Sequence, residues 1–164
     1  MHVVVLSDTH LRPGATRKLP DAVYAELERA DAVLHAGDVV SSAFLDELSG
    51  FAPVHAVLGN NDRELVGVVP ERRVVELDGV RVGMVHDSGA TAGRAARVQR
   101  WFPTAAVVVF GHSHMPVDEL VLRGPRLFNP GSATERRRAP TRTYGVLDLD
   151  DGRVVRHAVV PLPE

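Results

Sequence analysis

The stretch AVLHAGDVVSSAFLDEL, residues 32–48, runs through a strand, a turn and a helix in quick succession. Ala32 to His35 is short and apolar, as a strand buried on both faces should be. Gly37 and Asp38 close it. Ser41 or Ser42 then caps a helix on which Phe44, Leu45 and Leu48 recur at helical spacing. The same grammar stands on either side. Upstream, Val3 to Leu6 is a buried strand, and Asp21 caps a helix carrying Val23, Leu27 and Ala30. Downstream, Pro53 to Leu58 is a third strand, closed by Gly59. The chain up to Asn60 therefore reads βαβαβ, which implies parallel strands joined by right-handed crossovers.

Beyond Asn60 the pattern changes. Arg73 to Leu77 and Val80 to Val85 flank Asp78-Gly79, a strong type I′ hairpin signal. Thr91 to Trp101 reads as a helix and Ala105 to Phe110 as another buried strand. Two more hairpins follow. Glu119 to Leu122 and Arg126 to Phe128 flank Arg123-Gly124-Pro125; Tyr144 to Leu149 and Val154 to Val160 flank Asp150-Asp151-Gly152. No internal repeat, linker or low-complexity tract interrupts the chain. The expectation is one mixed α/β domain over residues 1–164, with two β-sheets packed together and helices outside.

At 164 residues such a domain can bury roughly 70% of the surface its unfolded chain exposes. Net charge is −2, so no global basic field favours an extended nucleic acid. Cysteine is absent, which excludes disulfides, thiolate metal sites and a cysteine nucleophile, and fits a reducing compartment. The N-terminal apolar run is too short for a signal peptide and has no basic region before it. No apolar stretch approaches the ~20 residues of a membrane span. The expectation is a cytoplasmic protein without a membrane partner.

Residues with ligand chemistry recur where strands end. The first strand ends in Ser-Asp-Thr-His, giving Asp8 and His10. The second gives Asp38, the third Asn60 with Asn61 and Asp62, the hairpin strand His86, and the Val107–Phe110 run His112 and His114. In open α/β sheets, ligands bind beyond the carboxyl ends of parallel strands. Alternate residues of an extended segment point the same way, so Asp8 with His10, and His112 with His114, can converge. Gly37, Gly59 and Gly111 permit sharp turns there. A single Asp or His at a strand end is ordinarily a turn former; five strand ends carrying such residues to one edge are not. Seven ligands, Asp8, His10, Asp38, Asn60, His86, His112 and His114, exceed what one ion with open positions needs and suit two. One division places Asp8, His10 and His114 on the first cation and Asn60, His86 and His112 on the second, with Asp38 on both. Imidazole and oxygen donors without sulfur favour Mn²⁺, Fe, Zn²⁺, Ni²⁺ or Co²⁺.

The motifs DTH, GD, GNND, a histidine after the hairpin, GHSH and a late NPGS, in this order, resemble the calcineurin-like metallophosphoesterases. Order and spacing are most similar to the small bacterial and archaeal phosphodiesterase branch, from about Val3 to Leu149. The resemblance implies a four-layer αββα sandwich of two mixed β-sheets flanked by helices. It also implies a di-metal centre with the ligand division given above, Mn²⁺ foremost. The implied activity is hydrolysis of small phosphodiesters by in-line attack of a metal-bridging hydroxide, with Asp38, Asn60, Asn61, Asp62 and His112 in catalytic roles. Two cations can clamp a phosphoryl group and bring the pKa of a water near ~7.

Two departures from the wider family stand out. Asn61 occupies the position where many relatives carry a histidine that protonates the leaving group, and an amide is no general acid. Asp87 and Ser88 follow His86 where several relatives have Gly and His. Asn61 and Arg12 are candidate substrate contacts, Arg12 reading also as an exposed loop residue, and Asp62 is either a turn residue or a residue that orients Asn61 or a ligand histidine. The Arg136–Arg138 and Arg142 cluster reads as a solvated loop. Competing readings are a non-catalytic protein-binding scaffold, as in a retromer subunit of similar fold, and a phosphomonoesterase or nuclease. The partner expected is a small phosphoester, with a homo-oligomer open.

Overall fold

A computed structural model describes residues 1–163. The alternation of Val3, Val4, Val5 and Leu6 decides its centre. Along β1 (His2–Leu6) these side chains point in turn to opposite faces and all are buried. Val3 and Val5 face inward, while Val4 and Leu6 face outward to α1 (Asp21–Leu27) and α2 (Ser42–Ser49). The parallel neighbours β2 (Ala32–His35) and β3 (Val54–Ala56) continue this sheet on one side of β1. On the other side, β9 (Thr143–Asp150) and β10 (Arg153–Pro161) pair antiparallel, giving the order β10-β9-β1-β2-β3.

The second sheet has the order β4-β5-β6-β8-β7. It is built from β4 (Arg72–Leu77), β5 (Val80–Val85), β6 (Val107–Val109), β7 (Val117–Leu120) and β8 (Arg126–Asn129). Its central strands β5, β6 and β8 are parallel and the outer two antiparallel to their neighbours. Val82, Met84, Val107, Val109 and Phe128 meet Val3, Val5, Leu34 and Leu147 between the sheets. Val108, Phe110 and Leu127 turn outward onto Val98 and Phe102 of α3 (Arg94–Trp101) and its end. The layers are therefore helix, sheet, sheet, helix: the αββα sandwich expected. Each fully buried Val or Leu side chain contributes roughly 1.5–3 kcal/mol.

Several boundaries differ from the sequence reading. Pro20, not Asp21, is the N-cap of α1: its carbonyl accepts the N–H groups of Val23 and Tyr24, and Asp21 sits in the first turn. The third helix begins at Arg94 rather than Thr91, because Gly93 holds a left-handed conformation with φ of 70°. The seventh strand lies over Val117–Leu120, two residues before the expected run, and leaves Leu122 exposed at the turn. The Asp78-Gly79 turn forms as expected, with positive φ at both residues. No helix among the described residues is long and apolar enough to cross a membrane.

Candidate metal centre

The ends of β1, β2, β3, β5 and β6 lie at one edge of the sandwich, three from the first sheet and two from the second. Asp8 follows β1 and is fully buried. Its Oδ2 accepts the Ser7 hydroxyl at 2.6 Å and the His112 backbone N–H at 2.9 Å. Its Oδ1 has no hydrogen-bond partner and lies 3.4 Å from His114 Nε2 and 4.0 Å from His86 Nε2. His10 stacks on His114 with ring centroids 5.4 Å apart, and its Nε2 lies 3.5 Å from Asp38 Oδ2. His86 Nε2 lies at the same 3.5 Å from that oxygen. Asn60 Oδ1 faces His86 Nε2 at 3.0 Å and His112 Nδ1 at 3.1 Å. The structure thus brings all seven ligand-type residues together.

Two of the histidines are oriented by carbonyls behind them. His86 Nδ1 donates to Ala36 O at 2.7 Å and His114 Nδ1 to Glu135 O at 2.8 Å. A carbonyl only accepts, so Nδ1 carries a proton in both rings and Nε2 is the atom turned to the site. Asp8 Oδ1, His10 Nε2 and His114 Nε2 are buried polar atoms without a hydrogen-bond partner. Such atoms are costly unless something else binds them. Ligand atoms of Asp8, His10 and His114 lie within 4.8 Å of one another, as do those of Asp8, Asp38 and His86. This donor set fits divalent transition cations. Asp8 faces both groups, whereas the sequence reading gave it to the first alone.

Burial holds the His10 pKa below its ordinary value, although Asp38, Glu135 and Asp8 pull it up. Burial pushes Asp38 up, but two Asn61 hydrogen bonds and the nearby His86 and His10 outweigh it and leave its carboxyl below the usual range. The Asn61 backbone N–H reaches Asp38 Oδ1 at 2.8 Å and its Nδ2 reaches Oδ2 at 2.7 Å. Asn61 therefore grips a ligand carboxylate. Of the two readings for Asp62, the structure shows the turn residue and not one that orients Asn61 or a histidine. Asp62 is buried, and its carboxylate accepts the backbone N–H groups of Asp38 at 2.9 Å, Val40 at 2.6 Å and Gly59 at 2.7 Å.

The turns also differ from the expected extended segments. Asp8, His10, Asp38, His112 and His114 all have φ between 49° and 69°. Side chains converge through left-handed turns, not through strand alternation. Asp and His tolerate this region better than most residues. Gly37 shares it, with φ of 89°. Gly59 and Gly111 do not; there a Cβ would collide with Asp38 N at 2.1 Å and Ser7 Oγ at 1.8 Å, so close approach is the requirement.

Sequence reasoning missed the supports of these turns. The Asn129–Thr134 segment wraps the first and last of them: Ser132 Oγ donates to Asp8 O at 2.7 Å, Thr134 Oγ1 to Thr9 O at 2.7 Å, and Asn129 Nδ2 to Gly111 O at 3.0 Å. The NPGS motif was the only available signal. Arg12 lines a cavity of about 400 Å³ with Val40, Asn61, Arg63 and Glu64. A groove of about 460 Å³ opens beside Asn60, His86 and His112. A larger cavity of about 530 Å³, between the segment after Leu11 and the first two helices, contains none of the seven ligand-type residues. Of the expected basic loop, Arg137 pairs with Glu135 at 3.7 Å and Arg136 and Arg142 donate to Ala139 O and Pro163 O.

Residues 1–152 match the model of the calcineurin-like phosphoesterase superfamily domain. A probable metallophosphoesterase of Methanothermobacter thermautotrophicus is 35% identical over 144 residues, covering 84% of this chain and 80% of its own. Among solved structures, zinc-complexed Vps29 of Entamoeba histolytica superposes with a TM-score of 0.77 at 24% identity, covering 98% of this chain and 99% of its own. An archaeal phosphodiesterase gives 0.71 at 24% identity, covering 98% and 100%. At that identity the two structures show a shared fold. The family match, the archaeal relative and the convergence of Asp8, Asp38, His86 and the GHSH histidines make this chain a member of the calcineurin-like phosphoesterase superfamily.

Proposed function

We propose that the protein is a metal-dependent phosphodiesterase acting on small diesters. The observation that carries this is the trio of buried, unpartnered atoms, Asp8 Oδ1, His10 Nε2 and His114 Nε2, on residues whose ligand atoms lie within 4.8 Å of one another. Asp8, His10 and His114 would hold one cation, Asn60, His86 and His112 a second, and Asp38 both; Mn²⁺ is the cation proposed. When bound, such ions neutralise phosphoryl charge and acidify water. Asn61 fixes the orientation of Asp38 by its two hydrogen bonds. The Ser7 hydroxyl and the His112 N–H fix Asp8 in the same way. Preorganisation of this kind avoids reorganisation during reaction.

The amide of Asn61 cannot protonate a leaving group. Diesters that release an acidic alcohol or phenol are therefore the favoured substrates. The likeness to a solved archaeal phosphodiesterase supports this reading, and the likeness to Vps29 supports a scaffold instead. Hydrolysis separates them. Chelated protein should be inactive on bis-p-nitrophenyl phosphate, Mn²⁺ should restore turnover, and the diester should outpace p-nitrophenyl phosphate. Asp38→Ala should cost about 100-fold or more in kcat/KM. No turnover with Mn²⁺, Ni²⁺ or Zn²⁺ would leave the scaffold. Faster cleavage of monoesters with poor leaving groups would overturn the role given to Asn61.

A further inference from the structure

The groove beside Asn60, His86 and His112 is lined by Arg63, Arg72 and Val66 as well. Both arginines are tied by backbone to turns that carry ligand-type side chains. Arg63 opens a 3₁₀ turn, Arg63–Leu65, and its N–H donates to Asn61 O at 3.0 Å. Arg72 starts β4 and pairs in register with Val85, the residue before His86. Neighbouring arginines are committed elsewhere: Arg73 donates to Ala56 O at 3.5 Å and Arg81 faces Glu76 at 3.5 Å. Among the described residues, neither Arg63 nor Arg72 has a carboxylate partner or donates its guanidinium to a protein acceptor.

Arg72 is nevertheless held in place. Its Cζ lies 3.9 Å from the centroid of the Trp101 ring. A stacked guanidinium is attracted by the ring face and keeps its in-plane N–H donors unspent. The planar fork matches phosphate or carboxylate oxygens. Three acidic residues share the groove, and the carboxylate of one, Asp62, is spent on the backbone N–H groups of Asp38, Val40 and Gly59. Asp87 accepts the Gly89 N–H at 2.7 Å and faces His112 Nε2 at 4.0 Å, which sets its carboxylate beside the ligand-type histidines. Glu71, the residue before Arg72, also lines the groove, and its charge opposes a long polyanion.

Resting on the phosphodiesterase reading, we propose that Arg63 and Arg72 form an anion subsite for the second arm of the diester. The preferred substrate is a phosphodiester whose arm bears a further anionic group. The scissile phosphate lies at the metal centre, and the second anion reaches the groove.

A matched pair of substrates tests this: the p-nitrophenyl ester of thymidine 5′-phosphate, with and without a 3′-phosphate. With Mn²⁺ the 3′-phosphate should raise kcat/KM by about tenfold. The double variant Arg63→Gln/Arg72→Gln should erase that ratio. The control pair Arg153→Gln/Arg156→Gln, on β10, makes the same change in net charge and should keep the ratio. An equal rate for both esters in the wild type, or a ratio that survives in the double variant, overturns the subsite. Binding is read separately by calorimetry in Mn²⁺ buffer. Thymidine 3′,5′-bisphosphate should bind about tenfold tighter than thymidine 5′-phosphate, and equally in the double variant. Tighter binding without turnover of any diester keeps the subsite and removes the phosphodiesterase reading. Equal affinities in the wild type remove the subsite.

Discussion

His35 shows how one side chain couples the centre to stability. It is fully buried at the end of β2, its Nε2 is 3.0 Å from Thr9 Oγ1, its Nδ1 has no partner, and its ring meets Phe44 edge-on. Burial, aided by the nearby His86, lowers its pKa to about 3, against the pull of Asp38. The unfolded chain protonates this histidine near pH ~6.5, and the folded protein does not until about pH 3. Above the unfolded value the group contributes no pH dependence. Below it the unfolded state binds the extra proton, so stability falls by up to about 1.4 kcal/mol per pH unit. Urea unfolding at pH 6 and pH 5 with chelator present should show this slope, and His35→Leu should remove most of it. Parallel stability-versus-pH lines for the two proteins would contradict the assignment.

At the level of elements, the turns after β2 and β3 form one unit because Asp62 joins them. Its carboxylate binds N–H groups of Asp38 and Val40 in one turn and of Gly59 in the other. Asp62→Ala leaves three buried donors unpaired, each costing about 1–3 kcal/mol. A total loss of about 3 kcal/mol or more is expected in urea unfolding, with metal affinity falling about tenfold. A loss under about 1 kcal/mol would show that water replaces the carboxylate. The role of Asp62 was not legible in the sequence, because its partners are backbone groups whose direction depends on two left-handed turns. The strands were legible, since runs such as Val3–Leu6 and Val107–Val109 have no polar residue to place on a wet face. The meeting of Asp8, His10 and His114 was legible as chemistry and misread as geometry. Strand alternation would have been sufficient, yet the backbone takes φ values that single residues seldom announce. Arg63 and Arg72 were silent for a different reason. An arginine in a loop or at the start of a strand looks solvated until its missing partner is seen.

Across the whole molecule, the centre is where the two sheets are joined by chemistry as well as by packing. Asp8, Asp38 and Asn60 come from the first sheet, while His86, His112 and His114 come from the second. A cation seated among them binds the folded arrangement and not the dispersed ligands of the unfolded chain. Folding and binding are then linked, and at a cation concentration 100 times Kd each site adds about 2.7 kcal/mol. For a domain of this size that is roughly 5–10 °C in Tm. Melting in chelator, then with rising Mn²⁺, should show the increase. Mg²⁺ should give less, because imidazole donors suit it poorly. Asp38→Asn should blunt the Mn²⁺ response, since its carboxylate lies 3.5 Å from both His10 Nε2 and His86 Nε2. A melt that none of Mn²⁺, Ni²⁺ and Zn²⁺ moves would mean that the buried, unpartnered atoms at this edge bind no cation. The fold would then be held by its two-sheet core alone.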